Sequence, residues 1–300
     1  MFWANGVIYV EQLPLVSTAD SAWLMADATF SMLRTFNCRT FQLDAHVDRI
    51  FEGCRALSIP TEYGKRQIAD AHEDLVEAAR RRWADEPEWR TCITASRGAL
   101  PLYAPVDDRG PWISISIYPL RWVLAGKSNL YDGVDTVISD VQAIPDACFP
   151  QTVKHHNRIH FRLAEQRAGA KWPLLCGPNG DVAEFTGANV AMVYGDSIFT
   201  PRSNCLRGVS MDFVEELHGR IYRDAVRPTA LMECDEAFAT CTPFGILPIR
   251  SLECDGELRT FDCAGPVTKR LTEKWIEAVG CNFPTQARRW DQEDATRNDR

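Results

Sequence analysis

The stretch VKHHNRIHFRLAEQRAGA, residues 153–170, sets one lysine ahead of three histidines and then runs into a helical pattern. It admits three readings: a catalytic amine at Lys154, a histidine metal site, or an ordinary helix start. Apolar spacing turns Ile159, Leu163 and Ala164 inward and leaves the arginines outside. His156 and His160 are four apart, which places two imidazoles on one helix face, as in metal-binding helices. No acidic residue stands between them, and Asn157 and Arg158 are poor company for a dication, so no metal is expected. Lys154 is unremarkable by spacing, since most lysines lie at the surface. Yet lysines are only six of the 33 basic residues, so a reaction that needs a lysine amine has few candidates.

Downstream of Lys154 come DVAEFTGANV (181–190), LRGVSMDFVEEL (206–217) and FATCTPFGILPI (238–249). Glu184 sits at a strand end beside a small-residue turn. Gly208, Val209 and Ser210 lead into a helix whose first amides can hold an anion. Thr240 and Thr242 offer hydroxyls near another turn. A lysine, an acid and an anion cup together suggest pyridoxal phosphate (PLP), which needs an imine partner, a pyridinium partner and a phosphate site. The same region reads as strands joined by turns at PNG and YGD, the helix GVSMDFVEELHGRI, two apolar strands, and a last helix in TKRLTEKWIEAVG.

Upstream, GVIYV and ATFSMLRTFNCRTFQL read as strands, with Asn37 suited to a turn of positive φ. In LDAHVDRIFEGCRALSIP, Val47, Ile50, Phe51, Cys54 and Leu57 recur at helical spacing, with Asp44 as N-cap and Pro60 beyond the end. A second helix is expected from about residue 65 to 83, on Ile68, Leu75, Val76 and Ala79. RTCITASRG and PWISISIYPL are strand-like and flank the loop ALPLYAPVDDRG. The expected organisation is a small α/β domain over 1–120, a connection over 121–133, a larger domain over 134–284 and a disordered polar tail over 285–300.

Composition narrows the function. Apolar residues make up 45% and charged ones 25%, ordinary globular values. A net charge of -8 argues against a general affinity for nucleic acid. No stretch approaches the roughly 20 apolar residues of a membrane span, and the N-terminus lacks signal-peptide features. The eleven cysteines are scattered without a CxxC pair, which fits free thiols in a reducing cytoplasm.

From about Gly6 to Ile249 the chain resembles the class IV aminotransferases. That fold-type-IV PLP family includes branched-chain and D-amino-acid aminotransferases, (R)-selective amine transaminases and aminodeoxychorismate lyase. FQLDAHVDRI is similar to the family's F-x-L-x-x-H-x-x-R-L, and VKHHNRI to K-x-x-N-[YRL]. DVAEFTGANV is similar to V-x-E-x-x-x-x-N, and LRGVSMDFVEEL to L-x-G-[IV]-[TS]. The elements follow one another in the family's order.

The resemblance implies a two-domain α/β (α+β) fold whose larger C-terminal domain is β-barrel-like, with the cofactor between the domains. It makes Lys154 the Schiff-base lysine and proton shuttle, and Glu184 the partner of the pyridine nitrogen. Arg49, the Val209 and Ser210 amides and Thr242 would hold the phosphate, and Asn189 would support the wall of the site. Helical spacing alone puts Arg49 on a solvated face; the motif reverses that reading. A cytoplasmic homodimer acting on an amino donor and a 2-oxo acid is implied too.

Departures bear on substrate. Phe30 and Ser31 stand where relatives often have Tyr or Phe and Glu, and Cys38 where Gly is common. Arg158 replaces a tyrosine of branched-chain enzymes. No basic residue follows Arg97-Gly98 until Arg109, which disfavours the D-amino-acid subtype. Phe30 and the 98–109 loop, Arg109 included, are the expected substrate pocket. The alternatives are a PLP lyase of the aminodeoxychorismate type and a non-catalytic relative that kept the fold.

Overall fold

The computed structural model describes residues 1–11, 17–102 and 110–298, and the chain divides into two compact units. The first comprises Met1–Val123 together with Thr152–Asn157; the second comprises Leu124–Gln151 and Arg158–Arg300. The stretch carrying Lys154 therefore belongs with the first unit, although the sequence reading places it well inside the second domain. Its backbone pairs with a strand of the first sheet, and pairing outranks sequence order.

The first unit is built on a six-stranded sheet. In spatial order its strands are Val7–Tyr9, Phe2–Ala4, Trp112–Pro119, Trp89–Ser96, Ala28–Phe36 and Arg39–Thr40. Every neighbouring pair is antiparallel. Asn37 and Cys38, at φ 51° and 60°, form the tight hairpin that the sequence places there. Strand alternation turns Leu33, Ile93, Ile115 and Ile117 to one face, where the helices Leu43–Ala56 and Lys65–Arg82 bury Val47, Ile50, Ile68 and Leu75 against them. The first helix is capped by Gln42 in the left-handed region, and Asp44 falls in its first turn instead of at the cap.

The second unit carries a nine-stranded mixed sheet. Its path runs Tyr222–Asp224, Ser197–Pro201, Asn189–Tyr194, Glu236–Cys241, Gly245–Cys254, Val134–Ile138, Trp172–Cys176 and Val182–Phe185, with Glu257–Thr260 paired to Gly245–Cys254. Val134–Ile138 is parallel to both of its neighbours, so helical crossovers must connect it. The helices Val209–His218 and Pro266–Val279 meet through Phe213 and Trp275, ring centroids 4.8 Å apart.

Two expectations fail in this unit. The helix Ile159–Ala168 buries Phe161 and Ala164 against Val141, Ala143, Leu175 and Ala183, and exposes Ile159 and Leu163. Phe161 lies two residues beyond Ile159, about 200° around the helix, and its large ring sets the inward face. Over its described residues the expected disordered tail is helical: Phe283–Asn298 is a helix, so Pro266–Val279 is not the last one. Phe283, Ala287 and Trp290 are its buried stripe, and Asp291 accepts from the amides of Gly126 (2.7 Å) and Ser128 (2.9 Å). The expected connection 121–133 contains the short helices Arg121–Leu124 and Ser128–Asp132.

Candidate active site

In the first unit, Lys154 is positioned by strand Ala28–Phe36. The Phe30 amide donates to the Lys154 carbonyl at 2.9 Å, and Thr29 pairs with His155 as an antiparallel bridge. The Thr29 hydroxyl also reaches the Lys154 carbonyl, at 3.4 Å. Strand alternation then turns Phe30 away from the helical face. Its ring centre lies 5.2 Å from Lys154 Nζ, and His156 stacks on it at 4.3 Å with 20° between the planes. His160 packs beside Phe161 instead, centroids 4.1 Å apart. Each histidine thus has an aromatic neighbour of its own.

On the other face of that strand, Arg49 is buried (8% exposed). Its Nη2 donates to Ser31 Oγ at 2.7 Å and lies 3.1 Å from His46 Nδ1, while Ser31 Oγ and His46 Nδ1 are 2.8 Å apart. The solvated-face reading of Arg49 therefore fails, because the guanidinium is buried. Gly53 makes this approach possible, because a Cβ there would stand 2.3 Å from Thr29 Oγ1. Burial first, then the charges of Arg49 and Lys154, holds His46 well below the ordinary imidazole range.

The second unit gathers the remaining residues. The Glu184 carboxylate accepts from the Leu206 amide at 3.2 Å, and Asn189 Nδ2 donates to the Leu206 carbonyl at 2.7 Å. One peptide segment is thus held by both side chains. Gly208 follows it, and a Cβ at Gly208 would fall 1.9 Å from Asn189 Oδ1, so only glycine fits where the helix Val209–His218 begins. The Val209 and Ser210 amides open that helix, where no carbonyl precedes them by a turn. Ser210 Oγ and Thr242 Oγ1 are 3.5 Å apart at this end. Thr240 is turned inward, donating to the Gly245 carbonyl at 2.9 Å. The structure thus brings Glu184, Asn189, Val209, Ser210 and Thr242 together, and Phe30 and Lys154 together. Arg109 lies outside the described residues.

Sequence reasoning missed a clamp just before Lys154. Both Asp146 carboxylate oxygens accept from the Asn204 amide at 2.9 Å, and Gln151 Nε2 bridges Asp146 (2.8 Å) and the Arg202 carbonyl (2.9 Å). The Arg207 amide closes the clamp on the Gln151 carbonyl at 3.2 Å. It ties the chain entering the lysine segment to the loop that holds Glu184 and Asn189. Only Asn204, at φ 58°, gives a local sign of it. Arg158 donates to the Thr186 carbonyl and lies 4.7 Å from the Phe161 ring. Burial lowers its pKa, against the opposing pull of Glu184 and Glu165.

Comparison with known proteins identifies the family and the fold. The family model of the class IV aminotransferases matches residues 28–252. The branched-chain-amino-acid aminotransferase of Pseudomonas aeruginosa is 27% identical over 254 residues, covering 80% of this chain and 78% of that protein. A crystal structure of the branched-chain aminotransferase of Thermoproteus uzoniensis with norvaline superposes with a TM-score of 0.79 at 19% identity, covering 94% of this chain and 95% of the other. The PLP form of the Thermobaculum terrenum branched-chain amino acid aminotransferase gives 0.77 at 24% identity, covering 96% of each chain. The chain belongs to the class IV aminotransferase family. It is a PLP-dependent transaminase of mixed α/β fold. No helix among the described residues is long and apolar enough to cross a membrane.

Proposed function

We propose that the two groups of residues serve one PLP molecule, with Lys154 as the catalytic amine, and that the donor is an apolar amino acid of the branched-chain kind. The observation that carries this reading is the Phe30–Lys154 juxtaposition, an amine 5.2 Å from the centre of an aromatic ring. The donor set fits the cofactor: one amine, one carboxylate, one buried guanidinium, and a helix start whose glycine a Cβ would crowd. When bound, PLP supplies an aldehyde that captures the substrate's amino group and a protonated ring that withdraws electrons from its α-carbon.

The chain supplies the rest. Lys154 Nζ would take the proton from the substrate α-carbon as base and, as the resulting ammonium, give it up again as acid. The Glu184 carboxylate keeps the proton on the ring nitrogen, and its bond from the Leu206 amide fixes its direction. Arg49, the Val209 and Ser210 amides and the Thr242 hydroxyl hold the phosphate, a dianion suited to a guanidinium and a helix N-terminus. Asn189 keeps the Leu206–Gly208 segment in place. Phe30 lines the side-chain pocket, to which Arg109 of the 98–109 loop is also assigned.

Transamination is favoured over the lyase alternative by the family match and by the relatives named above, all aminotransferases. A cytoplasmic homodimer is the accompanying reading, supported by the scatter of the eleven cysteines without a CxxC pair and by the exposed apolar side chains of Trp23, Leu24 and Met25. Light scattering tests the dimer. A panel of amines and amino acids, followed by conversion of the bound cofactor to its amine form, tests the donor class. Valine, leucine and isoleucine are expected to convert it fastest, and a strong preference for dicarboxylic donors would overturn the apolar pocket.

A further inference from the structure

The cluster of Arg49, Ser31 and His46 has an internal direction. A guanidinium nitrogen only donates, so the Ser31 oxygen accepts from Arg49 Nη2 at 2.7 Å. The hydroxyl's own proton is then directed to His46 Nδ1, 2.8 Å away. Nδ1 must be an unprotonated acceptor, and the ring is neutral with its proton on Nε2. Burial and the charges of Arg49 and Lys154 act in the same sense, since both resist a second cation in this space. Ser31 and His46 are fully buried.

The register of helix and strand explains why these groups meet. Arg49 and Gly53 are one helical turn apart, about 6 Å along the axis. Ser31 and Thr29 are two strand residues apart, about 6.7 Å. Gly53 rests on Thr29, Arg49 meets Ser31 one turn earlier, and His46 reaches it from the turn before that. The same strand hands its next residue, Phe30, to the Lys154 carbonyl.

We propose that Ser31 and His46 are positioning residues for Arg49, forming the donor chain Arg49 to Ser31 to His46 that fixes the guanidinium plane presented to the cofactor phosphate. A bidentate grip on phosphate depends on that plane, and a long side chain held only by its stem loses it to rotation. Because Ser31 and His46 are both uncharged, they orient Arg49 without neutralising it. A carboxylate at position 31 would compete for the guanidinium. This inference rests on the reading that Arg49 holds the phosphate.

The test is a PLP titration of the cofactor-stripped full chain, followed by fluorescence, for wild type, Ser31→Ala, Ser31→Thr and Arg49→Ala. The 31P resonance of bound PLP is recorded for each. Ser31→Ala is expected to weaken PLP binding roughly three- to tenfold, because the guanidinium loses its bond to Ser31 but stays within 3.1 Å of His46 Nδ1. It should also move the 31P resonance, and Ser31→Thr, which keeps the hydroxyl, should restore both. Wild-type affinity and resonance in Ser31→Ala, with Arg49→Ala weakened, overturn the positioning role alone. Wild-type affinity in Arg49→Ala overturns the phosphate reading beneath it. Should Ser31→Ala not fold, His46→Leu removes the acceptor at the other end of the chain, and an unchanged affinity there is equally fatal to the proposal.

Discussion

Phe30 and Lys154 are joined twice: the Phe30 amide donates to the Lys154 carbonyl at 2.9 Å, and the lysine's Nζ returns to within 5.2 Å of the centre of the same residue's ring. The backbone bond fixes where the amine starts, and the ring defines one wall of the space it reaches. Borohydride reduction of the holoprotein and peptide mapping are expected to place the pyridoxyl group on Lys154. Lys154→Ala should lose at least about 10²–10⁴-fold in turnover, the worth of a positioned acid–base group, while retaining some PLP. A label on any of the other five lysines would remove Lys154 from the role.

Gly208→Ala should damage cofactor retention without touching a cofactor ligand. Its Cβ would fall 1.9 Å from Asn189 Oδ1, and that amide is held by its bond to the Leu206 carbonyl. Either Asn189 or the helix start must move, and with it the Val209 and Ser210 amides. A loss of roughly tenfold in PLP affinity is expected, comparable to one charged hydrogen bond. Equal affinity for wild type and variant would show that this segment does not hold the phosphate.

Much of this site was legible because its chemistry lies in short contiguous elements. Lys154, Glu184 and the Gly208–Ser210 turn each carry a residue type that their chemistry requires. Each lies in a short stretch similar to a family motif, so no tertiary information was needed to single them out as candidates. What was hidden is long-range. Ser31 and His46 are fifteen residues apart and meet only because Gly53 lets a helix rest on Thr29. The Asp146–Asn204 clamp closes over 58 residues. The inward face of Ile159–Ala168 was misread because Ile and Leu outweigh one Phe in a periodicity count, whereas packing follows the largest ring with a partner. The C-terminal helix was masked by its charged composition, which hides a three-residue apolar stripe.

That stripe gives a stability prediction. Trp290 is buried (2% exposed) on the helix Phe283–Asn298, and Asp291 beside it accepts two backbone amides. Trp290→Ala is expected to cost about 3–5 kcal/mol, in line with large-to-small changes at buried aromatic sites. Urea denaturation measures it, and a loss below about 1 kcal/mol would mean that the helix is not packed.

His72 supplies a pH dependence. It is fully buried on the helix Lys65–Arg82, with Nε2 2.7 Å from Thr91 Oγ1, and burial lowers its pKa to about 4. The unfolded chain binds a proton at this residue below about pH 6.5, whereas the folded chain does not until about pH 4. Stability contributed by the neutral ring is therefore complete above pH 6.5 and declines as the pH falls towards 4. Between pH 6.5 and 5 the decline amounts to about 2 kcal/mol, before the carboxylates begin to protonate. His46, lowered by burial and by its cationic neighbours, adds a decline of the same sign. His72→Gln, which keeps a polar group for Thr91 but cannot titrate, should be less stable than wild type at pH 7.5 and should show a shallower loss between pH 7.5 and 5. Urea midpoints of the two proteins at both pH values decide it, and parallel losses would show that His72 does not titrate out of register with the unfolded chain.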